Sequence, residues 1–203
     1  MSALPSRKPW PMKWVVLAII LVIVPYTYLT LHYRKPGPAY RPYEDGKRRA
    51  VTGRLVSAGY QRIALDAQRP ADPVRSGSSA ETAPAPGGLP PALTEALIDS
   101  PVLPVSIDAV TAAGSTGAVQ PYSIQFTCTL ADNKAQPTGG QLYRHDNELI
   151  LVPSFEKLDA GLLARTRDST ILLTVPAGAL KPGRYDVRVV GVRASRRWTL
   201  QVH

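Results

Sequence analysis

The chain has 203 residues, among them 20 prolines, 15 glycines and one cysteine. This length allows one ordinary domain with appendages, and a single cysteine excludes an intramolecular disulfide framework or a cysteine-rich zinc site. The net charge is +9, and the basic excess flanks an apolar stretch near the N-terminus. This pattern favours an anionic lipid surface and argues against nucleic acid, because a nucleic-acid reader carries its charge on the folded domain.

Residues 1–13 are predicted to form a basic tail, and residues 14–33 a single transmembrane helix. The stretch from Trp14 to Leu31 contains no charged side chain. At ~1.5 Å per residue it is roughly 27 Å long, close to the hydrocarbon thickness of a bilayer. A cleaved signal peptide is the main alternative, but bulky and then proline-rich residues follow where a small-residue cleavage site is needed. A buried core helix is a third interpretation, which suits this uniformly apolar segment poorly.

Aromatic and basic side chains bracket the apolar stretch, as they do at membrane interfaces. The residues that we expect at the interfaces are Trp10, Trp14, Tyr26, Tyr28, Tyr33, Arg34 and Lys35. Counting the basic residues that follow the stretch predicts a cytoplasmic C-terminal domain. A short basic N-terminus, a flexible tether and an all-β domain are instead typical of an exported signal-anchor protein. We expect the C-terminal domain to be extracytoplasmic (periplasmic), with a cytoplasmic orientation as the alternative.

Residues 34–66 are predicted to form a basic juxtamembrane segment that contains one short helix. Prolines and a glycine force residues 34–42 into an extended or turning path. The helix that follows has acidic residues in its first turn and Gly59 as its C-terminal cap. We expect anionic lipid headgroups to contact residues 34–62; a solvated connecting helix is the alternative.

Residues 67–98 are rich in proline, alanine, serine and glycine and are predicted to form a linker. Residues 99–203 are predicted to form an antiparallel β-sandwich, because short alternating segments are separated by proline and glycine turns. In the segment YSIQFTCTL, Phe126 and Cys128 fall on the inward face, and in RRWTLQV so does Trp198. The three side chains are expected to be buried together.

The segment GQLYRHDNELILVP predicts a β-hairpin whose turn is Asp146–Asn147, two residues that tolerate a positive φ. In that register His145 faces Glu148, and Tyr143 faces Ile150. The histidine and the neighbouring carboxylates at this tip suggest either a metal site or a solvated turn, and the solvated turn is the better interpretation.

A further pattern occurs near the C-terminal end, in residues 175–202. The positions L-x-P-G-x-Y-x-V-x-V are occupied by Leu180, Pro182, Gly183, Tyr185, Val187 and Val189. This run resembles the last strands of immunoglobulin-like and fibronectin-III-like β-sandwich domains. The resemblance implies a tyrosine corner, in which the Tyr185 hydroxyl bonds to nearby backbone, and it implies nothing about function.

The sequence contains no recognisable catalytic set, and we expect no cofactor and no metal. Cys128 is the one possible thiol nucleophile, and its inward strand position predicts a core residue. The prediction is therefore a non-enzymatic binding or scaffolding protein, anchored in the membrane and recognising a protein partner. An accessory subunit or assembly factor of a membrane enzyme complex, such as a respiratory oxidase, is the alternative. A hydrolase or metal enzyme is the third class.

Overall fold

The computed structural model describes residues 11–33, 42–68, 80–158 and 162–203. The chain divides into two compact units, Met1–Tyr43 and Glu44–His203. In the described residues, the first unit is helical and the second is mainly β.

Helix α1 extends from Met12 to His32 and forms the described part of the first unit. Its side chains are almost all apolar, so the segment is apolar on every face. Pro25 lies inside the helix. Helices that span membranes tolerate proline at such a position. The backbone N–H of Tyr33 donates to the carbonyl of Leu29 and ends the helix. The predicted helix over residues 14–33 thus starts two residues earlier, at Met12, and ends one residue earlier.

The second unit combines two short helices with a 10-stranded sheet. The helices are α2 (Pro42–Ser57, beginning just before the unit boundary) and α3 (Pro91–Ala96). The strands are β1 (Gln61–Gln68), β2 (Ala83–Pro86), β3 (Ser106–Ala112), β4 (Ser115–Thr116), β5 (Tyr122–Thr129), β6 (Ala135–His145), β7 (Glu148–Lys157), β8 (Asp168–Val175), β9 (Gly183–Val189) and β10 (Ala194–Val202).

The sheet closes on itself into a barrel-like structure. Its strands follow the order β10-β3-β5-β8-β1-β6-β7-β9, and β9 pairs again with β10. Strands β2 and β4 attach to β10 outside this ring. The predicted immunoglobulin-like sandwich of two sheets is therefore not confirmed. The physical reason is β1, which pairs with β6 on one side and with β8 on the other and so joins strands that a sandwich would keep in separate sheets.

The inside of the barrel is filled by side chains, as in other small barrels. Strand β5 alternates strictly, with every second residue buried. Phe126, Cys128, Trp198 and Tyr185 belong to the same buried cluster. Within it the Trp198 Nε1–H donates to the Tyr122 hydroxyl over 3.0 Å, and that hydroxyl donates to the carbonyl of Ala113 over 2.8 Å.

A second apolar cluster lies on the outer face of the barrel, where α2 and α3 cover β6 and β7. Leu149 and Leu151 of β7 point into the barrel, whereas Ile150 points outward and packs with Leu55 of α2 and Leu93 of α3. An ion pair between the side chains of Lys47 and Asp99 adds a polar contact to this region. Strand β7 is consequently buried on both of its faces.

The β6–β7 hairpin has the predicted register. His145 pairs with Glu148, and Tyr143 pairs with Ile150. Asp146 has a φ of +49°, the left-handed conformation that its position in the tight turn requires.

The boundaries of the predicted β domain need correction. It was expected to begin at residue 99 after a linker over residues 67–98, but β1, β2 and α3 all belong to the second compact unit. The linker composition was misleading because β2, with the sequence Ala-Pro-Ala-Pro, pairs through only one edge, where proline is tolerated. Residues 69–79 of the predicted linker lie outside the described residues.

The Tyr185 hydroxyl donates to the backbone carbonyl of Lys181 over 3.0 Å. This is the contact that the tyrosine-corner pattern predicts. It occurs here in a closed sheet, so the local motif does not determine how the sheets are arranged.

We predict that a fragment of residues 42–203 unfolds in one cooperative transition and that residues 99–203 alone do not. The shorter fragment lacks β1, which leaves β6 and β8 without their shared neighbour, and lacks the buried Leu55, Leu65 and Leu93. Urea unfolding followed by circular dichroism measures this. A cooperative transition of the shorter fragment at the same midpoint would contradict the role given to β1.

We also predict that Tyr185→Phe lowers the free energy of unfolding of the 42–203 fragment by about 1–2 kcal/mol, because the Lys181 carbonyl loses its donor. Tyr43→Phe is the matched control, since the Tyr43 side chain is 81% exposed. Equal stability of the two variants would argue against the tyrosine corner.

Candidate functional site

Helix α1 carries most of the residues predicted to lie at the membrane interfaces. It contains a stretch, Met12–Thr30, that is long and apolar enough to cross a membrane by length and composition. Trp14 lies near the start of the helix, and Tyr26 and Tyr28 near its end, all with exposed side chains. Trp10, Arg34 and Lys35 lie outside the described residues.

The C-terminal end of α1 forms a small aromatic group. The rings of Tyr28 and His32 stack with their centroids 5.7 Å apart, and His32 meets Tyr33 edge-on at 5.3 Å. Amphipathic rings of this kind are typical of the headgroup region. The sequence placed Tyr28 and Tyr33 at the interface but did not show that His32 links them.

Helix α2 presents opposite chemistries on its two faces. Leu55 is buried and Val51 half-buried in the outer apolar cluster. Arg48, Arg49 and Arg54 are exposed. Because the apolar face already packs against the barrel, any contact of α2 with lipid is made by charged side chains at the headgroups and not by insertion.

A concave polar surface of the second unit is a groove on the outside of β9 and β10, which we call the β9–β10 cleft. It encloses about 770 Å³. Its floor is formed by outward side chains of β9 and β10, one wall by the segment around β2, and the other by the tip of the β6–β7 hairpin. The lining residues are Glu81, Ala83, Ala85, Pro86, His145, Asp146, Asn147, Glu148, Asp186, Val187, Arg188, Arg197, Trp198 and Thr199.

The charged side chains of the floor are arranged in two rows across the strands. In one row Glu148 of β7 pairs with Asp186 of β9, which faces Thr199 of β10. In the next row Arg188 of β9 faces Arg197 of β10. The floor therefore has one row with two carboxylates and, next to it, one row with two guanidinium groups.

Arg188 is held by backbone carbonyls. Its Nη2 donates to the carbonyl of Pro86 and, over 3.2 Å, to that of Gly88. Its Nε is buried and has no hydrogen-bond partner among the described residues. Both acceptors are neutral, so these contacts fix the guanidinium in the cleft without compensating its charge.

The hairpin tip forms the other wall through His145. Its ring packs on Tyr60, with centroids 4.9 Å apart, and its Nδ1 lies 4.0 Å from a carboxylate oxygen of Asp146. Burial raises the pKa of Tyr60, and the charge of Glu148 raises it further. Among the described residues no group of three or more histidine, cysteine or acidic side chains is placed to hold a metal ion.

The surroundings of Cys128 do not favour a reactive thiolate. Its side chain is fully buried, and its Sγ is 3.6 Å from the carbonyl of Ser169. Burial raises the pKa of the thiol to about 12, with smaller contributions from the charges of Asp108 and Asp168. The thiolate that nucleophilic or redox chemistry requires is therefore scarce at neutral pH.

No sequence pattern predicts the β9–β10 cleft. The alternation of β9 shows that Asp186 and Arg188 point outward, and that of β10 shows the same for Arg197. The missing signal is the parallel pairing of β7 with β9, which places Glu148 beside Asp186.

Comparison of the chain with protein-family models, with curated proteins and with solved structures finds no match.

We predict that Cys128 reacts slowly with an aromatic disulfide reagent in the folded chain at pH 8 and rapidly in denaturant. A pKa of about 12 keeps the folded thiol protonated, whereas an unfolded cysteine has a pKa near 8.5. Because the folded pKa is the higher one, this group's contribution to stability is complete below about pH 8.5 and is lost as pH rises toward the folded pKa. Fast labelling of the folded chain would contradict the buried position of Cys128.

Proposed function

We propose that the chain is a single-pass, membrane-anchored, non-enzymatic binding or scaffolding protein that presents its β unit to a protein partner. One observation carries the proposal: the apolar side chains of α1 are exposed, whereas those of the β unit are mostly buried. An exposed apolar surface of this size needs a cover, and a bilayer fits a helix that is apolar on all sides.

The state of the best candidate nucleophile supports binding over catalysis. The thiol of Cys128 is buried and protonated. Ser195, a buried polar side chain, accepts a hydrogen bond from the backbone N–H of Gly191 and stabilises the turn between β9 and β10. These two groups are committed to the fold, and the charged cleft suits recognition.

Anionic lipid is a further proposed partner. The exposed Arg48, Arg49 and Arg54 belong to the helix that follows the anchor in the sequence. Each basic side chain near an anionic membrane contributes up to about 1 kcal/mol of attraction, which salt screens. Because the apolar face of α2 is buried, this contact is electrostatic and reversible.

We place the β unit outside the cytoplasm, in the cell envelope. The mainly β unit that follows the anchor supports this orientation. The basic residues after α1 oppose it, because Lys and Arg beside a span resist translocation. Residues 67–98 give no support as a flexible tether, since β2 and α3 are part of the β unit.

We predict that the membrane-extracted protein retains residues 14–31, and that a reporter active only outside the cytoplasm works when fused after His203. The fusion needs a flexible spacer, because the His203 backbone bonds to Thr116 and Ala118. Intact mass spectrometry shows whether residues 14–31 are retained. A second fusion, to a reporter active only in the cytoplasm, completes the test of orientation. A chain lacking residues 1–33 is the control and should activate only the cytoplasmic reporter.

Each part of this prediction can fail separately. Loss of about thirty N-terminal residues would identify a cleaved signal peptide and overturn the anchor. Activity of the cytoplasmic reporter alone in the full chain would leave the anchor in place and reverse the orientation.

A further inference from the structure

We infer that the β9–β10 cleft binds an extended segment of the partner protein in which a basic and an acidic side chain lie two residues apart. The inference deepens the proposed function, since it states what the β unit recognises and where. It rests on the two rows of charge on the cleft floor.

The acidic row attracts a cation. Glu148 and Asp186 are direct neighbours across β7 and β9, and like charges in this position repel each other. Neither carboxylate forms an ion pair with another described side chain, and the Asp186 carboxylate accepts a long hydrogen bond of 3.5 Å from the Thr199 hydroxyl. A lysine or arginine side chain above this row removes the repulsion.

The basic row attracts an anion for the same reason. Arg188 and Arg197 are direct cross-strand neighbours. Arg188 is half-buried and is held only by neutral carbonyls, and a desolvated charge without a counter-charge is costly. Neither guanidinium forms an ion pair with a carboxylate in the described part of the chain. A carboxylate between the two arginines compensates both.

The distance between the rows determines the shape of the ligand. Asp186 and Arg188 are two residues apart on β9, a separation of about 6.6 Å in a strand. Alternate side chains of an extended peptide also lie on one face at that spacing. The volume of about 770 Å³ exceeds what one ion needs and falls in the range of roughly 300–1,000 Å³ for ligand pockets.

The wall formed by β2 favours recognition by side chains over addition of a strand. Two of its four residues, Pro84 and Pro86, have no backbone N–H to donate. An incoming strand would find few donors along that edge. Nucleic acid fits less well, because the acidic row repels phosphate.

The test uses the full chain in nanodiscs of uncharged lipid and three fluorescent heptapeptides of identical composition. Each contains one lysine and one glutamate in a threonine–valine background, separated by one, two or three positions. We expect the peptide with a separation of two to bind about five-fold more tightly than the other two, measured by fluorescence anisotropy at low salt. Adjacent charges point to opposite faces of a strand and cannot reach both rows.

Variants of the floor assign the binding to the cleft. Arg197→Gln and Asp186→Asn should each abolish the preference for a separation of two. Arg184→Gln is the matched control. Arg184 is an exposed arginine on β9, the strand that carries Asp186, and it lies outside the lining of the cleft. Its replacement should leave the preference unchanged.

Equal binding of the three peptides, binding of none, or the same loss in Arg184→Gln overturns the inference. These results are independent of the intact-mass and reporter measurements. A failed peptide series with a retained anchor therefore rejects only the ligand assignment, and a lost anchor with an intact spacing preference rejects only the membrane proposal.

Discussion

The fold depends on the insertion of β1 between β6 and β8. Its residues pair with β6 from Gln61 to Asp66 and with β8 at Ala67 and Gln68. The fit is close: a Cβ atom at Gly139 would lie 2.7 Å from the carbonyl oxygen of Leu65, and one at Gly140 would lie 2.8 Å from a methyl group of Leu173. With β1 in place, residues 139–144 of β6 and residues 172–173 of β8 have a paired neighbour on that side, and these parts of the two edges are not open to another chain.

Closure of the sheet also determines which outer surfaces remain free. The helices α2 and α3 cover the outside of β6 and β7. The outer face of these two strands is therefore buried. No described helix covers the outside of β9 and β10, which is bordered by β2 and the hairpin tip. The same chain segments that complete the barrel thus border a charged cleft, whose floor carries two carboxylates and two guanidinium groups that form no ion pair with another described side chain.

The sequence was informative where one face of an element is buried and the other exposed. Strand β5 and the β6–β7 hairpin alternate or turn so clearly that their faces and register followed directly. Strand β1 carries only a weak sequence pattern, because just one of its residues, Leu65, is buried. The Tyr185 pattern predicted its local hydrogen bond but not the closed sheet. The cleft escaped prediction because its charges come from strands whose pairing no sequence pattern reveals.

The position of β1 has a consequence for the order in which the chain folds during synthesis. Helix α1 and β1 are made early, yet β1 lacks one of its two neighbouring strands until β8 has been made, with Ala67 opposite Leu173. The ring then still needs β9 and β10, which pair with each other and with β7 and β2. Contacts so distant in sequence form slowly. The growing chain therefore passes through a period in which its apolar strands are exposed, when a holding chaperone has its greatest effect on yield.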